Sequence, residues 1–121
     1  MRIEILGNGR EIGRSAFLVD GSVMLDYGVK IEPEPPQYPI KRKADCVVLS
    51  HAHLDHSGGL PILFEKAKPH AFMTDVTRDL SKMMLLDSIK VAKSNGYGTP
   101  FGKDNLKRAI KHTKLVRYGE K

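Results

Sequence analysis

Residues 45–59, Asp-Cys-Val-Val-Leu-Ser-His-Ala-His-Leu-Asp-His-Ser-Gly-Gly, restrict the fold more than any other stretch of this chain. Asp45 to Leu49 is short, apolar and partly β-branched, the pattern of a buried strand. Gly58 and Gly59 then open a new element containing Pro61 and the apolar Leu60, Ile62, Leu63 and Phe64. The residues between, His51, His53, Asp55 and His56, are thereby expected on a loop at the carboxyl end of a strand, leading into a helix. A strand followed at once by a helix predicts an α/β fold, and in such folds ligands and metals collect at the carboxyl ends of strands.

Three of the five histidines fall within six residues, together with an aspartate. Neutral imidazole and carboxylate are zinc ligands, and a catalytic zinc typically takes three protein ligands and a water. On an extended or tightly turned loop, His51 and His53 can point the same way, as alternate residues do on a strand. Asp55 and His56 can then turn toward a second position, the logic of hydrolytic sites with two metals ~3.5–4 Å apart. The alternative is a polar loop whose histidines only hydrogen-bond locally. Four ligand-type residues in six positions behind a buried strand favour the metal.

The rest of the chain supplies a framework for that loop. Arg2 to Leu6 alternates polar and apolar residues as a half-buried strand would. Gly7 to Gly13 is glycine-rich, but its G-x-G-x-x-x-G spacing lacks the dinucleotide fingerprint, so a tight strand-to-strand connection is expected. Ser15–Val19 and Ser22–Asp26 read as two strands joined at Asp20-Gly21, a hairpin signal. Asp26, ending the second of them, is either a turn residue or a carboxylate near the site, and pattern alone does not separate the two. Residues 29–43 carry Pro33, Pro35, Pro36 and Pro39, which forbid a helix or inner strand and predict a surface loop ending in the basic Lys41-Arg42-Lys43. A short helix is expected from the histidine loop to about Ala67, then a strand at His70–Thr74. Apolar residues at helical spacing predict a helix over 77–94 capped by Asp75 or Thr77, and a second capped by Asp104. On the second, Leu106, Ala109 and Ile110 face inward, while Lys107, Arg108 and Lys111 form a side read as solvated.

Composition narrows the function classes. The chain has 121 residues, 40% of them hydrophobic, enough for one packed unit and without the ~20-residue apolar run of a membrane span. Its single cysteine, Cys46, lies within the apolar strand, which is weak support for a cytoplasmic protein. A net charge of +6 favours a polyanionic partner such as RNA, for which Lys41, Arg42 and Lys43 are the weak candidates.

HAHLDHSGG, preceded by short strands and by MLDYG around Asp26, resembles the H-x-H-x-D-H signature of the metallo-β-lactamase superfamily. LGNGREIGRS resembles the opening loop of its β-CASP ribonuclease family, and MTDVTRDL the start of that family's inserted domain. The family includes RNase J-like enzymes and the cleavage and polyadenylation nuclease, and the archaeal factors of the latter type look closest. The resemblance implies the N-terminal half of an αββα sandwich, one mixed sheet with flanking helices. Residues 1–75 would be the metallo-β-lactamase part, and 76–121 a helical segment leading into the β-CASP region on the same unit. It further implies hydrolysis of RNA phosphodiester bonds with two zinc ions per complete site. His51 and His53 match ligands of the first zinc, and Asp55 and His56 those of the second. Asp55 is thus also expected to matter for catalysis, with Asp26 supporting the histidine loop by hydrogen bonding.

One departure stands out. The family needs a third histidine for the first zinc, a bridging aspartate and a late histidine, all beyond the equivalent of Lys121, and neither Asp104 nor His112 matches them. The expectation is one half of a split enzyme, or a fragment, whose bare sheet face and missing ligands are supplied by a second polypeptide in a hetero-oligomer or by the missing C-terminal part, without membrane contact. The competing readings are a non-catalytic RNA-binding or assembly subunit and another hydrolase of the same fold.

Overall fold

The structure, a computed structural model, describes residues 1–7, 9, 10 and 12–119. Asn8 and Glu11 of the glycine-rich loop, and Glu120 and Lys121, lie outside the described residues. Six strands form one sheet in sequence order: β1 (Ile3–Ile5), β2 (Phe17–Val19), β3 (Val23–Leu25), β4 (Cys46–Val48), β5 (His70–Met73) and β6 (Thr113–Leu115). The first three are antiparallel, and β3 to β6 run parallel. Asp20 and Gly21 both adopt left-handed φ values, 50° and 68°, the twist-matched turn that joins β2 to β3. Parallel neighbours need crossovers: a helix-free loop joins β3 to β4, helix α1 (Leu54–Ser57) lies between β4 and β5, and α2 (Asp75–Ser94) and α3 (Lys103–Lys111) lie between β5 and β6.

Strand alternation divides the sheet into two unlike faces. Leu18, Met24, Val47 and Ala71 align across β2 to β5 and are buried with Leu60, Phe64, Leu85, Leu106 and Ala109 from the helical layer. The opposite face carries Ile3, Ile5, Leu25 and Val48, which are 56%, 54%, 39% and 39% exposed. Phe17, Val19, Val23, Cys46 and Phe72 lie between them, half-buried. One side of the sheet is therefore covered and the other is a bare apolar surface, as the sandwich resemblance implies. Cys46 belongs to that bare face and not to the core.

Several elements differ from the sequence expectation. The helix expected to about Ala67 is the single turn α1 followed by a separate 3₁₀ helix, Leu60–Phe64. Gly59 donates its N–H to the carbonyl of Tyr27 (2.8 Å), which interrupts the helical ladder between them. Helix α2 is capped by Thr74, whose Oγ1 accepts from the Thr77 N–H (3.2 Å), with Asp75 in the first turn and not at the cap. Helix α3 starts at Gly102, whose N–H donates to Asn105 Oδ1 (2.9 Å), so Asp104 is likewise inside the first turn. Strand β6 has no apolar alternation to announce it and follows from the free edge of β5, where the Ala71 N–H meets the His112 carbonyl (3.1 Å). Thr74→Ala should lower the unfolding free energy by about 1 kcal/mol. A urea titration would register this as an earlier midpoint at unchanged slope.

Candidate metal centre

The histidine loop leaves the carboxyl end of β4 and is tied to the segment leaving β3 by a backbone ladder. Asp26 N–H donates to Val48 (2.9 Å), Tyr27 to His56 (2.9 Å) and Val29 to Leu54 (2.9 Å), while Ser15 N–H donates to Asp55 (3.0 Å). Gly28 passes so close to Asp55 and His56 that a Cβ there would overlap the Asp55 carbonyl. Tyr27 anchors the other side. Its hydroxyl donates to the Pro39 and Ile40 carbonyls (3.2 Å each), and burial pushes its pKa up to about 12 despite the nearby Arg42. It stays a neutral donor at any physiological pH.

On this scaffold one ligand atom each from His51, His53 and Asp55 comes together within 4.8 Å. Ligand atoms of a tetrahedral zinc site stand roughly 3.4 Å apart at bond lengths of ~2.1 Å, so small side-chain rotations suffice to close the group on an ion. His56 adjoins it: its ring lies 4.0 Å from that of His51, and its Nε2 is 3.4 Å from Asp55 Oδ2. The residue types and the spacing both fit a divalent metal.

Asp26 organises the loop from below. It is buried, in a left-handed conformation (φ 59°), and its carboxylate accepts from Ser50 N–H (2.7 Å), Ser50 Oγ–H (2.7 Å) and His56 Nδ1 (2.9 Å). The one hydroxyl proton of Ser50 is spent on Asp26, so the contact from Ser50 Oγ to His51 Nδ1 (3.0 Å) places a proton on that nitrogen. His56 Nδ1 likewise donates to the carboxylate. In both rings the Nε2 lone pair is left for a ligand, and one buried carboxylate sets both tautomers.

The other sequence candidates lie elsewhere. Lys41, Arg42 and Lys43 precede β4 at its amino end, where Asp45 N–H meets Ser22, whereas the histidines leave the carboxyl end. Lys41 pairs with Glu65 (2.7 Å), holding that carboxyl below the usual range, and Arg42 pairs with Glu4 (3.1 Å). His112 ends α3 and stacks on Phe64 (6.4 Å between centroids), away from the cluster. Sequence reasoning missed Ser50, Ser15 and Gly28. Of these, only Gly28 had a signal, in the run Asp26-Tyr27-Gly28.

The family model described as the metallo-β-lactamase superfamily matches residues 11–116. Among curated relatives, the probable RNase MJ4 of Methanocaldococcus jannaschii is 37% identical over 129 residues, covering 100% of this chain and 30% of its own length. RNase aCSPSF2 of Saccharolobus solfataricus is 37% identical over 126 residues, covering 98% of this chain and 25% of its own. The transcription termination factor FttA of a Lokiarchaeum is 36% identical, covering 99% and 21%. The chain thus spans between about a fifth and a third of these relatives. Among the described residues, no helix is long and apolar enough to cross a membrane.

Proposed function

Because the chain belongs to the metallo-β-lactamase superfamily, we propose that it is the ligand-bearing part of a zinc-dependent β-CASP ribonuclease that hydrolyses RNA phosphodiester bonds. The observation that carries this reading is the convergence of His51, His53 and Asp55, with His56 beside them, on a loop whose ring tautomers are set by Asp26. Two relatives at 37% identity bear the name RNase, which gives the metal centre its substrate class. His51 and His53 would hold one zinc, and Asp55 with His56 a second. When bound, such a pair supplies an activated water and neutralises charge that develops on the phosphate. The chain's own residues orient the ligands: Asp26 and Ser50 keep Nε2 of His51 and His56 unprotonated, and the β3 segment fixes the loop.

With Asp55 given to the second metal, the first is left with two histidines, short of the three protein ligands usual for a catalytic zinc. The bare sheet face points the same way, for contiguous apolar patches of that kind mark surfaces meant for burial. Both deficits are met at once by a further polypeptide segment that brings the remaining ligands on a second sheet packed against Ile3, Ile5, Leu25 and Val48. Alone and loaded with zinc, the 121-residue chain is expected to self-associate and leave RNA intact. A monomeric chain with full ribonuclease activity would overturn the need for completion.

In the completed protein, elemental analysis should find about two zinc ions per site. Asp55→Ala should cut RNA cleavage at least ~100-fold, the upper range seen when even a ligand's orienting partner is lost. Assembly, followed by size-exclusion chromatography, should persist. Undiminished cleavage by this variant would remove Asp55 from the reaction.

A further inference from the structure

Helices α2 and α3 enclose a groove of about 300 Å³ on the helical side of the molecule. Its floor is aliphatic, made by Leu86, Leu106 and Ile110. Its rim is cationic: Lys82 on α2, and Lys103, Lys107 and Lys111 on α3. The three α3 lysines repeat every four residues and so line one side for about 12 Å, roughly two helical turns. Among the described residues no carboxylate lines the groove, and none of the four lysines has an ion pair or side-chain hydrogen bond. What sets the four apart is their placement along one apolar groove, since lysines elsewhere, such as Lys68 and Lys90, are unpaired too.

We propose that this groove docks an acidic amphipathic helix of a partner protein. The apolar face of such a helix would lie on Leu86, Leu106 and Ile110, with its Asp or Glu side chains reaching the lysine rim. An apolar floor between two helices, about one turn long from Leu106 to Ile110 and edged by a two-turn row of lysines, suits helix-in-groove recognition, and complementary charge sets the orientation and the encounter rate. Single-stranded RNA fits less well. Sequence-tolerant binding of that kind relies on aromatic side chains under the bases, and this floor has none. A second copy of the chain would bring a second cationic rim, and a membrane surface demands a protruding apolar face instead of a trough. The proposal is independent of the ribonuclease reading, because it uses no residue of the metal centre.

The test is a fluorescence anisotropy titration of the completed protein with a short labelled helical peptide that bears a leucine stripe flanked by glutamates. Micromolar binding is expected. The variant K103E/K107E/K111E, whose lysines are exposed and unpaired, should bind about tenfold or more weaker while RNA cleavage is unchanged. Leu86→Gln should also weaken binding, which a purely electrostatic contact would not show. Failure of the peptide to bind would overturn the proposal, as would equal binding of unstructured polyglutamate. Tighter binding of a short oligouridylate through the same lysines would reassign the groove to nucleic acid.

Discussion

Gly28→Ala is expected to abolish metal loading and to lower the thermal midpoint of the protein by about 10 °C or more, as a loss of ~3 kcal/mol would. The methyl group would overlap the Asp55 carbonyl and crowd the His56 nitrogen. Neither strand of the contact can yield cheaply. The Asp55 carbonyl accepts from Ser15, the His56 carbonyl from Tyr27, and the Leu54 carbonyl from both Val29 and Gly58. Relieving the overlap means opening part of this ladder, at roughly 1 kcal/mol per bond with more for buried groups left unpaired, on top of ~1–3 kcal/mol for overpacking. Function should suffer more than stability, because a ~1 Å displacement of a reacting group can cost ~100-fold in rate. Gly21→Ala is the matched control: its φ is +68°, but nothing lies within 4 Å of an added methyl. It should cost about 1 kcal/mol through backbone conformation alone and leave metal content intact. Wild-type zinc content and midpoint in Gly28→Ala would show that the close approach does not hold the loop.

The parts of this architecture that were legible in the sequence are those that depend on one residue type at one spacing. Val47, Met24 and Ala71 sit in short apolar runs that can only be inner strands, and Asp20-Gly21 has the φ freedom of a tight hairpin. The clustering of His51, His53 and Asp55 was legible because these ligand-type side chains stand two residues apart on one loop. What stayed hidden depends on partners distant in sequence. Strand β6 is formed by residues with no strand pattern, since the pairing is donated by the edge of β5. Ser50 is an ordinary serine until folding brings Asp26 beneath it. The run Lys41-Arg42-Lys43 looks like a phosphate site until Glu65 and Glu4 are seen against two of its members. The α3 side read as solvated is exposed at Lys107 and Lys111, but Arg108 donates to the Phe64 and Glu65 carbonyls (2.7 and 3.0 Å), partners more than forty residues away in the chain.

The second large effect is expected from Asp26→Asn, which separates the chemistry of the carboxylate from its shape. Asparagine tolerates the left-handed conformation that Asp26 adopts, so the backbone should accept the change. The amide, however, must present an NH₂ group where a carboxylate oxygen now accepts. If the NH₂ faces Ser50 N–H, two donors meet in a buried site at a cost of about 1–3 kcal/mol. If it occupies the position of Oδ2, it donates to Ser50 Oγ and to His56 Nδ1. The serine proton then turns to His51, and both rings move their own proton to Nε2, the nitrogen a metal requires free. Either arrangement weakens metal binding, by about 10–100-fold on the scale set by lost ligand-orienting partners. Ser50→Ala disconnects His51 while sparing the bond from Asp26 to His56, so its loss should be smaller. Zinc titration of the completed protein, with the histidine tautomers read by long-range nitrogen NMR, distinguishes the two variants. A wild-type zinc affinity in Asp26→Asn with His56 still protonated at Nδ1 would mean that the loop holds its ligands without the buried carboxylate.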